Sequence, residues 1–163
     1  MKKNVFVAFS LLAVMGFWAC EESFEDNPVE PQESLRVYAA SGCKFHARPD
    51  GTRGPSHEQC VEYKALADGY LSLNHVNVGF NCDPGQIITN VYINGDTIEV
   101  VEREERSGAD CVCFYDLYSE VGPLEDKSYT IVFERGRWRY EKFRFNIQYS
   151  PSLSGTYNVK EEE

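Results

Sequence analysis

Residues 91–98, VYINGDTI, decide the fold. Apolar and polar residues alternate on both sides of Asn94-Gly95, a dipeptide that favours the tight turn of a β-hairpin because both residues tolerate positive φ. We expect Asn94-Gly95 to form the two-residue loop, so that Ile93 pairs with Asp96. One face of the hairpin is then apolar and the other polar, as in an antiparallel sheet with one buried face.

The same alternation extends through the rest of the chain and predicts further strands. They are expected at residues 34–40, 59–67, 69–82, 111–121, 128–134 and 137–149, with a possible edge strand at 155–159. The apolar phase slips by one residue within 69–82, which predicts a β-bulge near Asn74-His75. This pattern predicts an all-β fold, an antiparallel β-sandwich of the immunoglobulin-like or a related type, with a small β-barrel as the alternative.

Composition limits the function classes. The 163 residues fit a single domain, and a hydrophobic content of 42% is enough for a packed core. The formal net charge of -10 argues against a nucleic-acid partner, because phosphate binding needs clustered cations.

The N-terminus has the pattern of an export signal. Lys2 and Lys3 precede an uncharged apolar run over residues 5–19, which is too short to span a bilayer as a helix. Phe17-Trp18-Ala19-Cys20 resembles the loose lipobox of Bacteroidota, so we predict a lipoprotein signal peptide at 1–19 and acylation of Cys20. The acidic residues after it resemble the signal that sends such lipoproteins to the outer cell surface.

This interpretation divides the chain into four parts. Residues 1–19 are the signal peptide, 20–34 the lipidated cysteine with an acidic, proline-rich tether, 35–150 the β-sandwich domain, and 151–163 a C-terminal segment with an acidic tail. The predicted location is the outer membrane, facing the periplasm or the cell surface, with the surface favoured.

With Cys20 acylated, five cysteines remain as disulfide candidates, and an odd number leaves one thiol over. They are Cys43, Cys60, Cys82, Cys111 and Cys113. Cys111 and Cys113 share a strand face and lie about 6.5–7 Å apart, too far for an easy bond with each other. We expect one of them to pair with Cys82 and Cys43 to pair with Cys60.

A metal site is the alternative use of these cysteines. Cys43-x-x-His46 and His57-x-x-Cys60 form a near-palindrome whose four ligands suit tetrahedral zinc. A second set, Cys82, Cys111, Cys113 and His75, suits a soft metal such as copper. We expect the cysteines to form disulfides and the chain to hold no cofactor, with zinc or copper as the alternative.

Two stretches resemble a group of small, uncharacterised Bacteroidota lipoproteins. Residues 75–82 match its H-x-N-x-x-F-N-C strand, and residues 111–116 match its C-x-C-x-Y-D strand. The resemblance covers about a third of the chain and implies a secreted β domain with no established activity. Members of the group carry further cysteines that this chain lacks at Asp83 and at Ala109-Asp110.

No catalytic constellation is present, since the sequence has neither G-x-S-x-G nor H-E-x-x-H. The acidic run at Glu102, Glu104 and Glu105 is interpreted as a solvated strand end. We therefore expect a non-catalytic structural or accessory module in an outer-membrane or surface assembly. The alternative is a glycan- or protein-binding surface built from an aromatic patch. Its candidate residues are Arg137, Trp138, Arg139 and Tyr140.

Overall fold

The computed structural model describes residues 32–46, 58–136 and 141–160, most of which lie in β-strands. The strands are β1 (Gln32–Glu33), β2 (Leu35–Ala40), β3 (Phe45–His46), β4 (Cys60–Ala65), β5 (Leu71–Asn81), β6 (Ile87–Asn94), β7 (Thr97–Glu104), β8 (Val112–Val121), β9 (Ser128–Gly136), β10 (Glu141–Gln148) and β11 (Ser154–Asn158). A short 3-10 turn, Ala67–Gly69, links β4 to β5. The predicted signal peptide and Cys20 lie outside the described residues.

The strands form two sheets. Sheet A has the order β1-β6-β7-β9-β10, and sheet B has the order β11-β4-β5-β8-β2, with β3 also paired to β8. Neighbouring strands are antiparallel except β7 and β9, which run parallel. The two sheets pack face to face, and neither closes on itself within the described residues. The predicted antiparallel sandwich is confirmed, and the barrel alternative is wrong.

The hairpin predicted at residues 91–98 is present as β6 and β7, but its loop is shifted by one residue. Asn94 pairs with Thr97 and Ile93 with Ile98, so the two loop residues are Gly95 and Asp96. Gly95 takes a φ of 59°, as the first loop position of a type II′ turn requires. The shift leaves the same side chains on the buried face, because it preserves the alternation of the two strands.

The predicted bulge lies in β5, slightly later than expected. The pairing of β5 with β8 shifts between His75 and Val78, and Asn77 takes a φ of 58° there. Asparagine, with its short polar side chain, adopts this left-handed conformation more readily than most residues, and the Asn77 Nδ2 donates to the Glu58 carbonyl just before β4, 3.0 Å away. The bulge therefore lets both halves of β5 present apolar residues to the core.

The core lies between the inward faces of the two sheets. Its larger cluster combines residues from both, as the alternation predicts. The fully buried members are Val61, Leu71, Leu73, Val91, Ile98, Val100, Val121 and Ile131. Burying one such aliphatic side chain stabilises the fold by about 1.5–3 kcal/mol. A smaller cluster beyond the bulge includes Val78, Phe80 and Cys113, and it leads to the end of sheet B where most of the cysteines lie.

Both predicted flanking segments contribute an edge strand. Gln32–Glu33, within the predicted tether, pairs with β6 as β1. Ser154–Asn158, within the predicted C-terminal segment, pairs with β4 as β11. The sandwich therefore uses residues on both sides of the 35–150 range.

Candidate functional site

Most of the chemistry-bearing side chains gather at one end of sheet B, in what we call the cysteine–histidine cluster. Its members are Cys43, His46, Cys82, Cys111 and Cys113. In the strand register, Cys113 of β8 stands opposite His46 of β3 on one side and Phe80 of β5 on the other. Because strand side chains alternate between faces, Cys111 falls on the face of Cys113, and Cys82 on the face of Phe80.

Four of these residues form two disulfides. Cys43 bonds Cys113 across a Cα–Cα distance of 5.7 Å, and Cys82 bonds Cys111 across 5.6 Å. The second bond is one of the two pairings left open for Cys82 by the sequence. Both bonds tie neighbouring segments of sheet B, and together they fix β3, β5 and β8 at this end of the sandwich.

The predicted bond between Cys43 and Cys60 is wrong. Cys60 begins β4, which is separated from β3 by β5 and β8, a span of about 14 Å at ordinary strand spacing. That distance is roughly twice the longest Cα separation that a disulfide bridges. Cys60 is instead the one free cysteine among the described residues.

The Cys60 thiol is poorly suited to nucleophilic chemistry. It is half-buried, and burial is the main cause that raises its pKa above the ordinary value for a thiol. The nearby carboxylates of Glu62 and Asp116 raise this pKa further. Thiols react as thiolates, so we expect Cys60 to react slowly at neutral pH.

His46 lies between the two disulfides. Its Nδ1 is 3.4 Å from Cys82 Sγ. The ligand atoms of Cys43, His46 and Cys113 lie within 4.8 Å of one another, and the same holds for His46, Cys82 and Cys111. Neither predicted metal set is assembled as written. Cys60 lies away from Cys43, His57 falls outside the described residues, and His46 occupies the place that was predicted for His75.

His75 lies deeper in the sandwich and joins the two sheets. Its Nδ1 lies 2.8 Å from Glu102 Oε2 on β7, and its Nε2 lies 2.7 Å from Gln59 Nε2. An amide nitrogen only donates, so His75 Nε2 accepts and Nδ1 carries the proton given to Glu102. The His75 and Glu102 side chains are only 2% and 3% exposed, which leaves a substrate no access to them.

The interpretation of the acidic run as a solvated strand end is wrong for two of its three members. Glu102 and Glu104 are buried, whereas Glu105 is exposed. Glu104 Oε2 accepts the backbone N–H of Asn81 from the opposite sheet at 2.7 Å, and Glu104 Oε1 accepts the Ser107 hydroxyl at 2.5 Å. These carboxylates are polar ties between the sheets.

The aromatic binding patch predicted from the sequence lies outside the described residues. This applies to all four of its members, Arg137, Trp138, Arg139 and Tyr140. Arg135 is the arginine nearest to that segment among the described residues, and its side chain bonds to other residues of the sandwich. Its guanidinium donates to the Gly79 carbonyl of sheet B and lies 2.5 Å from Glu141 Oε2.

Comparison with protein-family models gives no match for this chain, and comparison with curated proteins and with solved structures gives none either. Among the described residues, no helix has the length and apolar character needed to cross a membrane.

Proposed function

We propose that this chain is an exported, lipid-anchored β domain of the bacterial cell envelope that works as a non-catalytic structural or accessory module. The two disulfides, Cys43–Cys113 and Cys82–Cys111, carry this proposal. Disulfides persist in oxidising compartments and are rare in the cytosol. They agree with the signal-peptide pattern at residues 1–19 and with the predicted acylation of Cys20.

The use of the buried polar groups supports a structural role. A catalytic acid or base must reach its substrate within hydrogen-bond distance, directly or through a water. The best candidates by residue type are His75 and Glu102, and both are enclosed between the sheets with their hydrogen bonds directed at each other and at Gln59. Glu104 is likewise bonded to backbone and to Ser107. These groups hold the sheets in register.

The lipid anchor supplies the membrane partner in this proposal. Several acyl chains on Cys20 give stable attachment, since each buried methylene contributes about 0.8 kcal/mol. The acidic, proline-rich tether then holds the sandwich away from the lipid surface. A domain presented in this way fits an accessory subunit of an outer-membrane or surface assembly, where it meets a protein partner.

Export and lipidation are tested by expressing the full chain in a Bacteroidota host that is fed a labelled fatty acid. The expected result is label in the protein, release into the soluble fraction by Cys20→Ala, and digestion by protease added to intact cells. A matched control is a leaderless chain lacking residues 1–20, which we expect to stay in the cytosol with reduced cysteines. Labelling that survives Cys20→Ala, or full-length protein retained in the cytosol, would contradict the proposal.

A further inference from the structure

We propose that the cysteine–histidine cluster, once its disulfides are reduced, binds one thiophilic closed-shell cation, Zn²⁺ or Cu⁺, with His46 as the central ligand. This inference goes beyond the structural role proposed above, because it concerns the reduced form of the same four cysteines. It assigns a metal-binding site to a region whose two disulfides otherwise only connect segments of sheet B.

The geometry groups five ligand atoms, which come from β3, from β8 and from residues next to β3, β5 and β8, into two overlapping triads. The first triad is Cys43, His46 and Cys113, and the second is His46, Cys82 and Cys111, each with its ligand atoms within 4.8 Å of one another. Sulfur and nitrogen ligands of a tetrahedral metal lie about 2.0–2.3 Å from it, which places them within about 4 Å of each other. Each triad is therefore within a small movement of a metal-binding arrangement.

His46 decides the number of cations. Both triads depend on the same imidazole, and its Nδ1 already faces the sulfur of Cys82 at 3.4 Å. A site that uses His46 and completes its coordination with sulfurs from both disulfides holds one metal ion per chain. Thiolate and imidazole ligands are the set that Zn²⁺ and Cu⁺ prefer.

The surrounding fold holds these ligands in place without the help of the disulfides. Phe45, next to His46, stacks on Phe114 of β8 with a ring-centroid distance of 4.8 Å. Lys44 Nζ lies 2.7 Å from Asp116 Oδ1 on the same strand. The Cys82 N–H donates to the Cys111 carbonyl at 3.1 Å. The ligands therefore stay near one another when the sulfur–sulfur bonds are opened.

Reduction of the two disulfides requires an external reductant, which is a dithiol in this proposal. Each disulfide takes two electrons and two protons from the dithiol and becomes two thiols, while the dithiol becomes a cyclic disulfide. The cation then binds thiolates, and the displaced thiol protons go to solvent, so binding strengthens as the pH rises. In the oxidised protein the sulfurs are bonded to each other, and no thiolate is available.

The test measures metal binding by the purified protein in its oxidised and fully reduced forms. Zn²⁺ and Cu⁺ are offered separately, each against a chromophoric chelator, and Co²⁺ serves as a spectroscopic probe for thiolate ligation. We expect about one cation per reduced chain, thiolate-to-cobalt charge-transfer bands with Co²⁺, and no binding by the oxidised chain. The stronger of the Zn²⁺ and Cu⁺ arms identifies the preferred ion. Binding of equal strength by the oxidised chain would overturn the proposal, and so would no binding of either ion by the reduced chain.

Three variants separate this site from nonspecific thiol binding. His46→Ala removes the ligand common to both triads, and Cys111→Ser removes an exposed sulfur from one of them. Each is expected to weaken binding roughly tenfold or more, because even loss of a second-shell partner commonly has that effect. Cys60→Ser is the matched control, since its sulfur lies outside the cluster, and it should leave the affinity unchanged.

The comparison remains decisive even if the reduced chain loses its fold. In that case the readout is recovery of the β-sheet circular-dichroism signal on addition of metal, which we expect for the parent and for Cys60→Ser. An unfolded chain would bind metal through any of its cysteines. Equal affinities for the parent, His46→Ala and Cys60→Ser would therefore refute the site.

Discussion

Replacing Glu102 by leucine removes one half of the buried tie between the two sheets. In the native protein, Glu102 Oε2 accepts the His75 Nδ1 proton at 2.8 Å, and both side chains are almost fully buried. The Phe133 and Phe143 rings lie 4.9 Å and 5.6 Å from the His75 ring, so no water replaces the lost acceptor easily. The substitution leaves a buried N–H donor without a partner.

The expected loss of stability follows from that unpaired donor. A buried polar group left without its partner costs about 1–3 kcal/mol, and the upper end of this range applies where no water can reach the group. We therefore expect Glu102→Leu to lower the free energy of unfolding by about 3 kcal/mol. Glu102→Gln keeps an oxygen acceptor and should cost about 1 kcal/mol. With a urea m-value of about 1–3 kcal/mol/M, the leucine variant unfolds at a urea concentration about 1–3 M lower.

A double-mutant cycle isolates the pair. Adding His75→Leu to Glu102→Leu removes the unpaired Nδ1 donor but takes the acceptor from Gln59 Nε2, so the double variant should lose less stability than the sum of the two single losses. Glu99→Leu is the matched control, because Glu99 lies on the same strand but on its outer face, and it should change stability by no more than about 0.5 kcal/mol. Equal stabilities of Glu102→Leu and Glu99→Leu would refute this prediction, and so would single-variant losses that simply add in the double variant.

Three further predictions concern the Cys82–Cys111 disulfide, the free thiol of Cys60 and the β-bulge at Asn77. The double variant Cys82→Ala/Cys111→Ala opens a loop with a sequence separation of 29 and should lower the unfolding free energy in urea by about 3.5 kcal/mol; a loss below about 1 kcal/mol would contradict the loop-entropy argument. Alkylation of Cys60 by iodoacetamide should be slow at pH 7 and should accelerate only above the ordinary thiol pKa, because burial raises its pKa and keeps it protonated; rapid labelling at pH 7 would contradict this. Asn77→Ala and Asn77→Gly lose the same side-chain hydrogen bonds, but only alanine is strained at the φ of 58° that this position adopts. The alanine variant should therefore be less stable than the glycine variant by about 1 kcal/mol in urea unfolding. Equal stabilities would show that the backbone relaxes at this position.

The strands could be predicted because the alternation of apolar and polar residues indicates which side chains of each strand are buried. In β8, Cys113, Tyr115, Leu117 and Val121 all point into the core, as their spacing predicts. The register of the β6–β7 hairpin was not predictable to the residue. Asn94-Gly95 and Gly95-Asp96 are both acceptable loops, and both place the same side chains inward.

The burial of Glu102 and Glu104 is unexpected for charged residues, but it agrees with the alternation of inward-facing and outward-facing positions along β7. Ile98 and Val100 point inward on β7, so positions 102 and 104 continue on the same face. Charged residues are usually solvated, so residue type predicts exposure at positions where the alternation of the strand predicts burial. The partners that make the burial tolerable, His75 and the Asn81 N–H, lie on the other sheet and cannot be read from local sequence.

The cysteine pairing was predictable only in part. Cys111 and Cys113 share a face by parity, which excluded a bond between them and left Cys82 as a partner for one. The bond from Cys43 to Cys113 spans a sequence separation of 70 and depends on β3 pairing with β8. A two-residue strand such as β3 has too little alternation to reveal its neighbour, and the proximity of His46 to the sulfurs follows from the same pairing.

The most direct test of the central claim, an exported domain stapled by two disulfides, is the intact mass of the lipidated protein after alkylation without reductant. When alkylation is carried out in denaturant, which exposes Cys60, the mature chain should gain one alkyl group at Cys60, and four more cysteines should be alkylated only after reduction. Peptide mapping should then join Cys43 to Cys113 and Cys82 to Cys111. Five alkylated cysteines in the unreduced, membrane-derived protein would contradict the account, because the cluster would then exist as free thiols in the compartment where the proposal requires disulfides.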